Sequence, residues 1–265
     1  MKKPSLLLSI FIIICTLSSC GVGNDDHTLI VAGSTSVQPY VEVLAEEFEN
    51  THSDDAVDVQ GGGSASGITA ATSEIADIAM SSRALQDAEK QLWSVEIAKD
   101  GLAIILHESN PVENLTIEQL RGIYSLEITN WKQVGGNDAK IHIITREEGS
   151  GTRSAFEELV MGKTYKISNK AIVLNSNGSV GQIVSGDKNA IGFMSLGLLT
   201  EYSVTAIKIN HVTASDENVL NGSYSLYRPF LFVAKKEPSG LSKKFVDFVL
   251  SAEGKEILNK RGLIA

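Results

Sequence analysis

The chain has 265 residues, 43% of them hydrophobic, and a formal charge of −9. That apolar content is globular rather than disordered and suits one large or two modest domains. The acidic balance argues against a nucleic-acid partner and against gathering anions by a bulk positive field, so any bound anion has to be held by local donors.

Residues 1–19 read as an export signal: Lys2 and Lys3 precede an apolar run over 6–14 that is too short to span a bilayer. The end of that segment, Leu17-Ser18-Ser19-Cys20-Gly21, resembles a bacterial lipobox, in which the cysteine is lipid-modified and begins the mature chain. A plain secretory signal with an incidental cysteine is the alternative. Residues 20–27 are then the lipidated Cys20 and a short tether. Loss of Lys2 and Lys3 takes the charge from −9 to −11. Cys15 leaves with the signal and Cys20 is occupied, so no disulfide forms and the core alone carries stability.

Beyond the tether, strand-like and helix-like segments alternate. Leu29-Ile30-Val31-Ala32 is a strand running into Gly33-Ser34-Thr35-Ser36, after which Val41, Leu44, Ala45 and Phe48 mark one face of a helix. A second strand at 56–60 leads into Gly61-Gly62-Gly63-Ser64-Ala65-Ser66-Gly67 and a helical stretch over 68–72. A third, at 76–80, is followed by Ser81-Ser82-Arg83 and a polar helical stretch as far as Lys90. Residues 95–98 and 102–106 read as two strands, and the chain leaves its first lobe near His107. A helix fits 116–123, with Thr116 as cap and Glu118 in its first turn, and 130–136 is a loop.

Residues 141–144 form a β-branched strand and 154–161 have helical spacing. Between them, Arg146-Glu147-Glu148-Gly149-Ser150-Gly151-Thr152 places a cation, two hydroxyls and small residues where a strand meets a helix. Gly149 and Gly151 let backbone N–H groups approach a ligand closely, and a helix start leaves several such groups unpaired. A tetrahedral anion can accept those bonds, with help from the helix dipole. Arg146 supplies a fork-shaped cation, and Ser150 and Thr152 supply O–H donors. Any one of these loops alone is equally an ordinary helix cap. Three in one chain, one of them carrying an arginine, point to loops converging on a single anion beyond the carboxyl ends of strands. Strands at 172–174, 190–194 and 229–233 and helices at 179–184, 241–250 and 253–260 complete the pattern. The expected fold is α/β and two-lobed, with mixed, mostly parallel sheets, flanking helices and a hinge.

Other chemistry finds little support. Gly162-Lys163-Thr164 lacks the upstream glycine of a nucleotide phosphate loop, and Gly63-Ser64-Ala65-Ser66-Gly67 has alanine where a hydrolase elbow needs its nucleophile. His27, His52, His107, His142 and His211 show no metal-ligand spacing, and no cofactor is expected. Trp93 and Trp131 read as core or under-loop residues. The Glu147-Glu148 pair suggests acid/base work or, more simply, solvated acids balancing arginines.

Taken together, Gly33-Ser34-Thr35-Ser36, Gln60-Gly61-Gly62-Gly63-Ser64, Asp77-Ile78-Ala79-Met80-Ser81-Ser82-Arg83 and the Arg-x-x-Gly-Ser-Gly-Thr motif at 146–152 resemble the phosphate-binding lipoproteins of phosphate-specific ABC importers. These are class II periplasmic-type binding proteins. Asn130-Trp131 and Tyr227-Arg228-Pro229 also resemble family positions. The resemblance implies lobe 1 from 28–106 plus 226–265, lobe 2 from 107–225, and a phosphate cage between them. Thr35 and Ser36 would donate from the first loop, Ser64 from the second, and Arg146, Ser150, Gly151 and Thr152 from the second lobe; Ser66 ranks below these. Many relatives carry Ser-Asp where this chain has Ser81-Ser82, and that acid accepts the phosphate proton while repelling sulfate. Here discrimination falls to Ser82, to Asp77 or to a backbone carbonyl, with Asp77 equally readable as a strand-start carboxylate. Arg83 either faces the ligand or pairs with an acid. The implied partners are inorganic phosphate, the transmembrane subunits of an ABC permease, and the membrane through Cys20. The implied protein is an extracytoplasmic, non-enzymatic monomer. The alternatives are a binder of sulfate, molybdate or an organic phosphate, or an extracytoplasmic phosphate-ester hydrolase or sensor.

Overall fold

The computed structural model describes residues 27–265; the export signal, Cys20 and the tether as far as residue 26 lie outside the described residues. The order of elements is β1 (Thr28–Gly33), α1 (Gln38–Thr51), β2 (Ala56–Gly61), α2 (Ser64–Thr72), β3 (Ile78–Ser81), β4 (Trp93–His107), β5 (Asn114–Leu115) and α3 (Ile117–Ser125). Then come β6 (His142–Arg146), α4 (Gly151–Phe156), β7 (Ile172–Leu174), α5 (Asn177–Gly186), β8 (Ala190–Ser195), β9 (Val204–Ala206), β10 (Lys208–Ile209) and α6 (Asp216–Leu220). The chain closes with β11 (Tyr227–Ala234), α7 (Gly240–Leu250) and α8 (Ala252–Lys260). Among the described residues, no helix is long and apolar enough to cross a membrane.

The main sheet is curled and runs in the order β2-β1-β3-β11-β4-β8-β6-β7, with β9 pairing β4, while β5 and β10 pair with each other apart from it. Its flanks are parallel, β1 with β2 and β3 and β6 with β7 and β8. Its centre is antiparallel, through β11 and β4. Parallel neighbours cannot be joined by a hairpin and need a crossover, which α1 and α2 supply on the first flank. All strands of that flank therefore end on one side: Gly33 lies opposite Gly61 and Met80 in register, so the loops leaving β1, β2 and β3 emerge together. On the other flank Arg146, the last residue of β6, lies opposite Leu174 at the end of β7.

β4 joins the two flanks. Up to Gly101 it pairs with β11, and from Leu102 it pairs with β8. From Leu102 to Leu106 every residue is buried, because both faces are covered, and the apolar run therefore shows no alternation. The expected lobe boundary after Leu106 thus stands beside a change of strand partner five residues earlier. Two aromatic clusters mark the cores on either side. Phe48 meets Phe245 edge-on at 5.3 Å. Phe156 stacks on Phe193 at 4.2 Å and touches Tyr124 at 4.5 Å, which anchors α4 from below.

Several sequence expectations differ from this structure. The strands at 95–98 and 102–106 are one strand of 15 residues. At the Lys99-Asp100-Gly101 interruption the strand runs on, with Lys99 exposed and Asp100 and Gly101 buried, and changes partner there. The polar helical stretch reaching Lys90 contracts to one 3-10 turn at Asp87–Glu89, because Glu89 folds back to accept the Gln86 N–H and to pair with Arg83. The loop at 130–136 contains a 3-10 turn, Trp131–Val134, whose buried indole donates to the Asn189 carbonyl at 3.0 Å. β5, β9, β10 and α6 are too short to leave a periodic signal. The helix capped by Thr116 forms as expected, and Gln119 completes its capping box.

Candidate functional site

The loop after β1 turns at Gly33, whose φ of 142° is one that side-chain-bearing residues rarely adopt, and whose absent Cβ leaves room for the Met80 carbonyl. That carbonyl accepts the Ser34 N–H at 3.0 Å, while the Gly33 carbonyl accepts the N–H groups of Gly62 and Gly63 at 2.7 and 2.8 Å. First and second loops are thus clamped together. Gly63 has a φ of 91° and delivers Ser64 to the start of α2.

Ser64 Oγ accepts the Ser82 N–H at 3.1 Å and lies 3.4 Å from Ser82 Oγ. Ser34 Oγ accepts the Ser36 N–H and donates to Ser82 Oγ at 2.8 Å. Ser34, Ser36, Ser64 and Ser82 are all buried, which makes a dry patch of linked hydroxyls beyond the strand ends.

The second flank meets this patch directly. Ser36 Oγ lies 2.8 Å from Thr152 Oγ1. Ala65 donates its N–H to the Gly149 carbonyl at 3.1 Å. Gly151 opens α4 so close to the hydroxyl patch that a Cβ there would collide with Ser64 Oγ and Ser82 Oγ. Arg146 is 1% exposed and grips Glu147 through Nε and Nη2, both at 2.9 Å. Its Nη2 also donates to Thr35 Oγ1 at 3.1 Å, and its Nη1 is buried without a protein acceptor. A guanidinium this buried, with one arm unanswered, is a standing demand for an anionic or carbonyl oxygen.

The sequence had singled out Thr35, Ser36, Ser64, Ser82, Arg146, Gly151 and Thr152, and the fold brings them together. Ser150 is buried at the same place, but its hydroxyl accepts the Arg153 N–H at 3.3 Å as the α4 cap. Ser66 is exposed and its hydroxyl donates to the Gly62 and Gly63 carbonyls. Asp77 lies at the far end of the sheet, where it accepts the Ile30 N–H at 2.8 Å; the strand-start reading holds. Arg83 turns away into a bidentate pair with Glu89, at 2.7 and 2.8 Å, which holds the Glu89 carboxyl below its ordinary range. Glu147 is engaged by Arg146. No Asp or Glu among the described residues hydrogen-bonds to Ser34, Ser36, Ser64, Ser82 or Thr152, and no group of three metal-ligating side chains occurs among them.

Ser34 and Asn177 escaped the sequence reading. Asn177 is buried at the start of α5 and donates its N–H to Thr35 Oγ1 at 3.2 Å. Its signal was present: Asn175-Ser176-Asn177-Gly178-Ser179 follows the strand at 172–174 just as the other small-residue loops follow theirs. Beside it sits a buried ion pair across β4 and β11, in which Arg228 Nε and Nη2 hold Asp100 Oδ2 at 3.0 and 2.9 Å. Burial pushes the Asp100 pKa up and the Arg228 pKa down, and their mutual attraction opposes both shifts. Ser195 donates its hydroxyl to Asp100 at 2.6 Å and its N–H to Asn177 Oδ1 at 3.2 Å.

A profile of the PBP superfamily domain matches residues 18–253. The Bacillus subtilis phosphate-binding protein PstS is 29% identical over 93% of this chain and 83% of its own length. The Staphylococcus epidermidis PstS is 30% identical over 84% of this chain and 74% of its own. Among solved structures, a Clostridium perfringens ABC-transporter substrate-binding protein with bound phosphate superposes with a TM-score of 0.86 at 44% identity, covering 89% of this chain and 98% of that one. An ABC-type phosphate transport receptor from Vibrio cholerae gives 0.75 at 40% identity, covering 89% and 99%.

Proposed function

The chain belongs to the PBP superfamily and, within it, to the PstS-type phosphate-binding proteins, and we propose that it captures inorganic phosphate between two lobes and delivers it to an ABC permease. The observation that carries this reading is the buried guanidinium of Arg146, with one donor arm unanswered, tied through Thr35 to the first-flank loop whose Ser34 hydroxyl joins the buried serine patch. The anion contacts are assigned to Thr35, Ser36, Ser64, Ser82, Arg146, Ser150, Gly151 and Thr152, with Gly151 acting through its N–H. The lobes are 28–106 plus 226–265 and 107–225, linked through β4 and β11.

Function here changes no covalent bond. Phosphate enters between the lobes, exchanges its hydration shell for fixed donors, and stabilises the closed arrangement through charge-assisted bonds that strengthen as water leaves. Each hydroxyl can donate one proton and accept others, so the serines adapt to whichever phosphate oxygen carries the proton. Outside the membrane, Cys20 would hold the protein as a lipid-anchored monomer beside the permease.

One observation favours broader oxyanion binding as a second reading: among the described residues the linked hydroxyls have no carboxylate partner, so no acid bonded to them discriminates against sulfate. Titration calorimetry near neutral pH tests both. One-site phosphate binding with sulfate at least about a hundredfold weaker, roughly 2.7 kcal/mol, supports the phosphate reading; equal affinities support the broader one. Turnover of a chromogenic phosphate ester that vanished on Ser64→Ala would replace both with a hydrolase.

A further inference from the structure

We propose that Asn177 is an additional ligand of the bound oxyanion, contributed by a fourth strand-exit turn through its side-chain Nδ2. The cap of α5 is made by Ser176, whose hydroxyl accepts the Ser179 N–H at 3.0 Å, so the asparagine amide is not consumed in closing the helix. Its side chain is 0% exposed. Oδ1 accepts the Ser195 N–H at 3.2 Å, which fixes the amide orientation, since turning it over would set a donor against a donor. Nδ2 is left buried with no protein acceptor, as is Nη1 of Arg146.

These two unanswered donors belong to neighbouring groups. Thr35 Oγ1 receives Arg146 Nη2 at 3.1 Å and the Asn177 N–H at 3.2 Å, so one oxygen of the first loop gathers both residues. A buried donor without an acceptor is rare in a folded protein and destabilises it. Two such donors beside one hydroxyl suit a ligand with several strong acceptor oxygens, and a tetrahedral oxyanion offers them. Ser195 holds the asparagine, and Asp100 holds Ser195, so the donor is set in place by the buried β4–β11 ion pair and not by a mobile loop.

This inference rests on the phosphate reading above, and its test separates the two. The structure of the phosphate-saturated protein is determined, and phosphate affinity is measured by calorimetry for the wild type, Asn177→Ala and Asn177→Asp. The expected result is Nδ2 within about 3.2 Å of a phosphate oxygen. Affinity should fall at least about tenfold in Asn177→Ala and further in Asn177→Asp, which keeps the acceptor for Ser195 but turns a carboxylate oxygen toward the anion. A wild type that binds phosphate with Nδ2 beyond hydrogen-bond reach, and an Asn177→Ala affinity equal to wild type, would overturn the assignment of Asn177 alone. A wild type that does not bind phosphate overturns it together with the reading it rests on. The wild-type structure decides even if a variant fails to fold.

Discussion

Ser36 Oγ and Thr152 Oγ1 lie 2.8 Å apart although 116 residues separate them in sequence. Both side chains are buried, so a missing partner is not replaced by solvent. Thr152→Val keeps the shape and deletes the hydroxyl, stranding Ser36. Phosphate binding should weaken by about 1–3 kcal/mol, the cost of an unsatisfied buried polar group. Calorimetry checks this, and an unchanged affinity removes the contact from closure.

Arg146 serves three acceptors at once: Glu147, Thr35 and, in the proposed complex, the anion. Arg146→Ala should cost about 2–5 kcal/mol of binding, as for truncating one side of a buried charged pair. Arg146→Lys should recover little of that loss, since an ammonium cannot reproduce a planar fork. Recovery of wild-type affinity by lysine would mean that charge alone matters.

Gly151 is expected to admit no side chain. The Cβ of Gly151→Ala would press on Ser64 Oγ and Ser82 Oγ and part the two flanks. An overpacking penalty of about 1–3 kcal/mol follows for the closed form. The readout is a weaker phosphate affinity with the ligand-free melting temperature held near wild type; tight binding would show that the loops do not meet as described.

Ser82→Asp should sharpen selectivity. A carboxylate accepts the proton of protonated phosphate and repels fully ionised sulfate, so the phosphate-to-sulfate affinity ratio should rise at least about tenfold, equivalent to 1.4 kcal/mol. Competition calorimetry measures that ratio in both proteins, and a ratio that stays constant would detach Ser82 from discrimination.

Glu89 gives a pH test outside the cage. The hydrogen bond from Arg83 holds its carboxyl below the ordinary value of 4.5. A depressed folded pKa means that the pair stabilises the protein fully above that ordinary value and is lost as pH falls through the folded one. Glu89→Gln should therefore lower stability near neutral pH and flatten the acid limb of a denaturation profile below about pH 5. An acid limb as steep as that of the wild type would show that other carboxylates dominate.

Much of the site was legible because glycine and hydroxyl residues after a strand carry a local signal: Gly33, Ser36, Ser64, Gly151 and Thr152 stand where sequence reasoning put them. Ser82 entered only through the family resemblance, as the residue standing where many relatives carry Asp. Asn177 did not, since its strand at β7 is only three residues long and carried little weight. The unbroken β4 was hidden because Asp100 looks like a solvent-facing break, and only the arginine supplied 128 residues later by β11 makes its burial possible. Asp77 and Arg83 were undecidable from sequence, because a strand-start acid and a ligand acid look alike until the two ends of the sheet are known.

The uninterrupted β4 also limits how such a molecule can yawn. In the proposed two-lobe arrangement β4 passes through Gly101 without a break, where an added Cβ would meet the Leu196 side chain, so parting the halves would twist the paired ribbons β4 and β11. The Asp100–Arg228 clasp rides on that ribbon as a rivet on a leaf spring. The ease of release would then lie in the stiffness of two strands that reach the cargo only through Ser195 and Asn177.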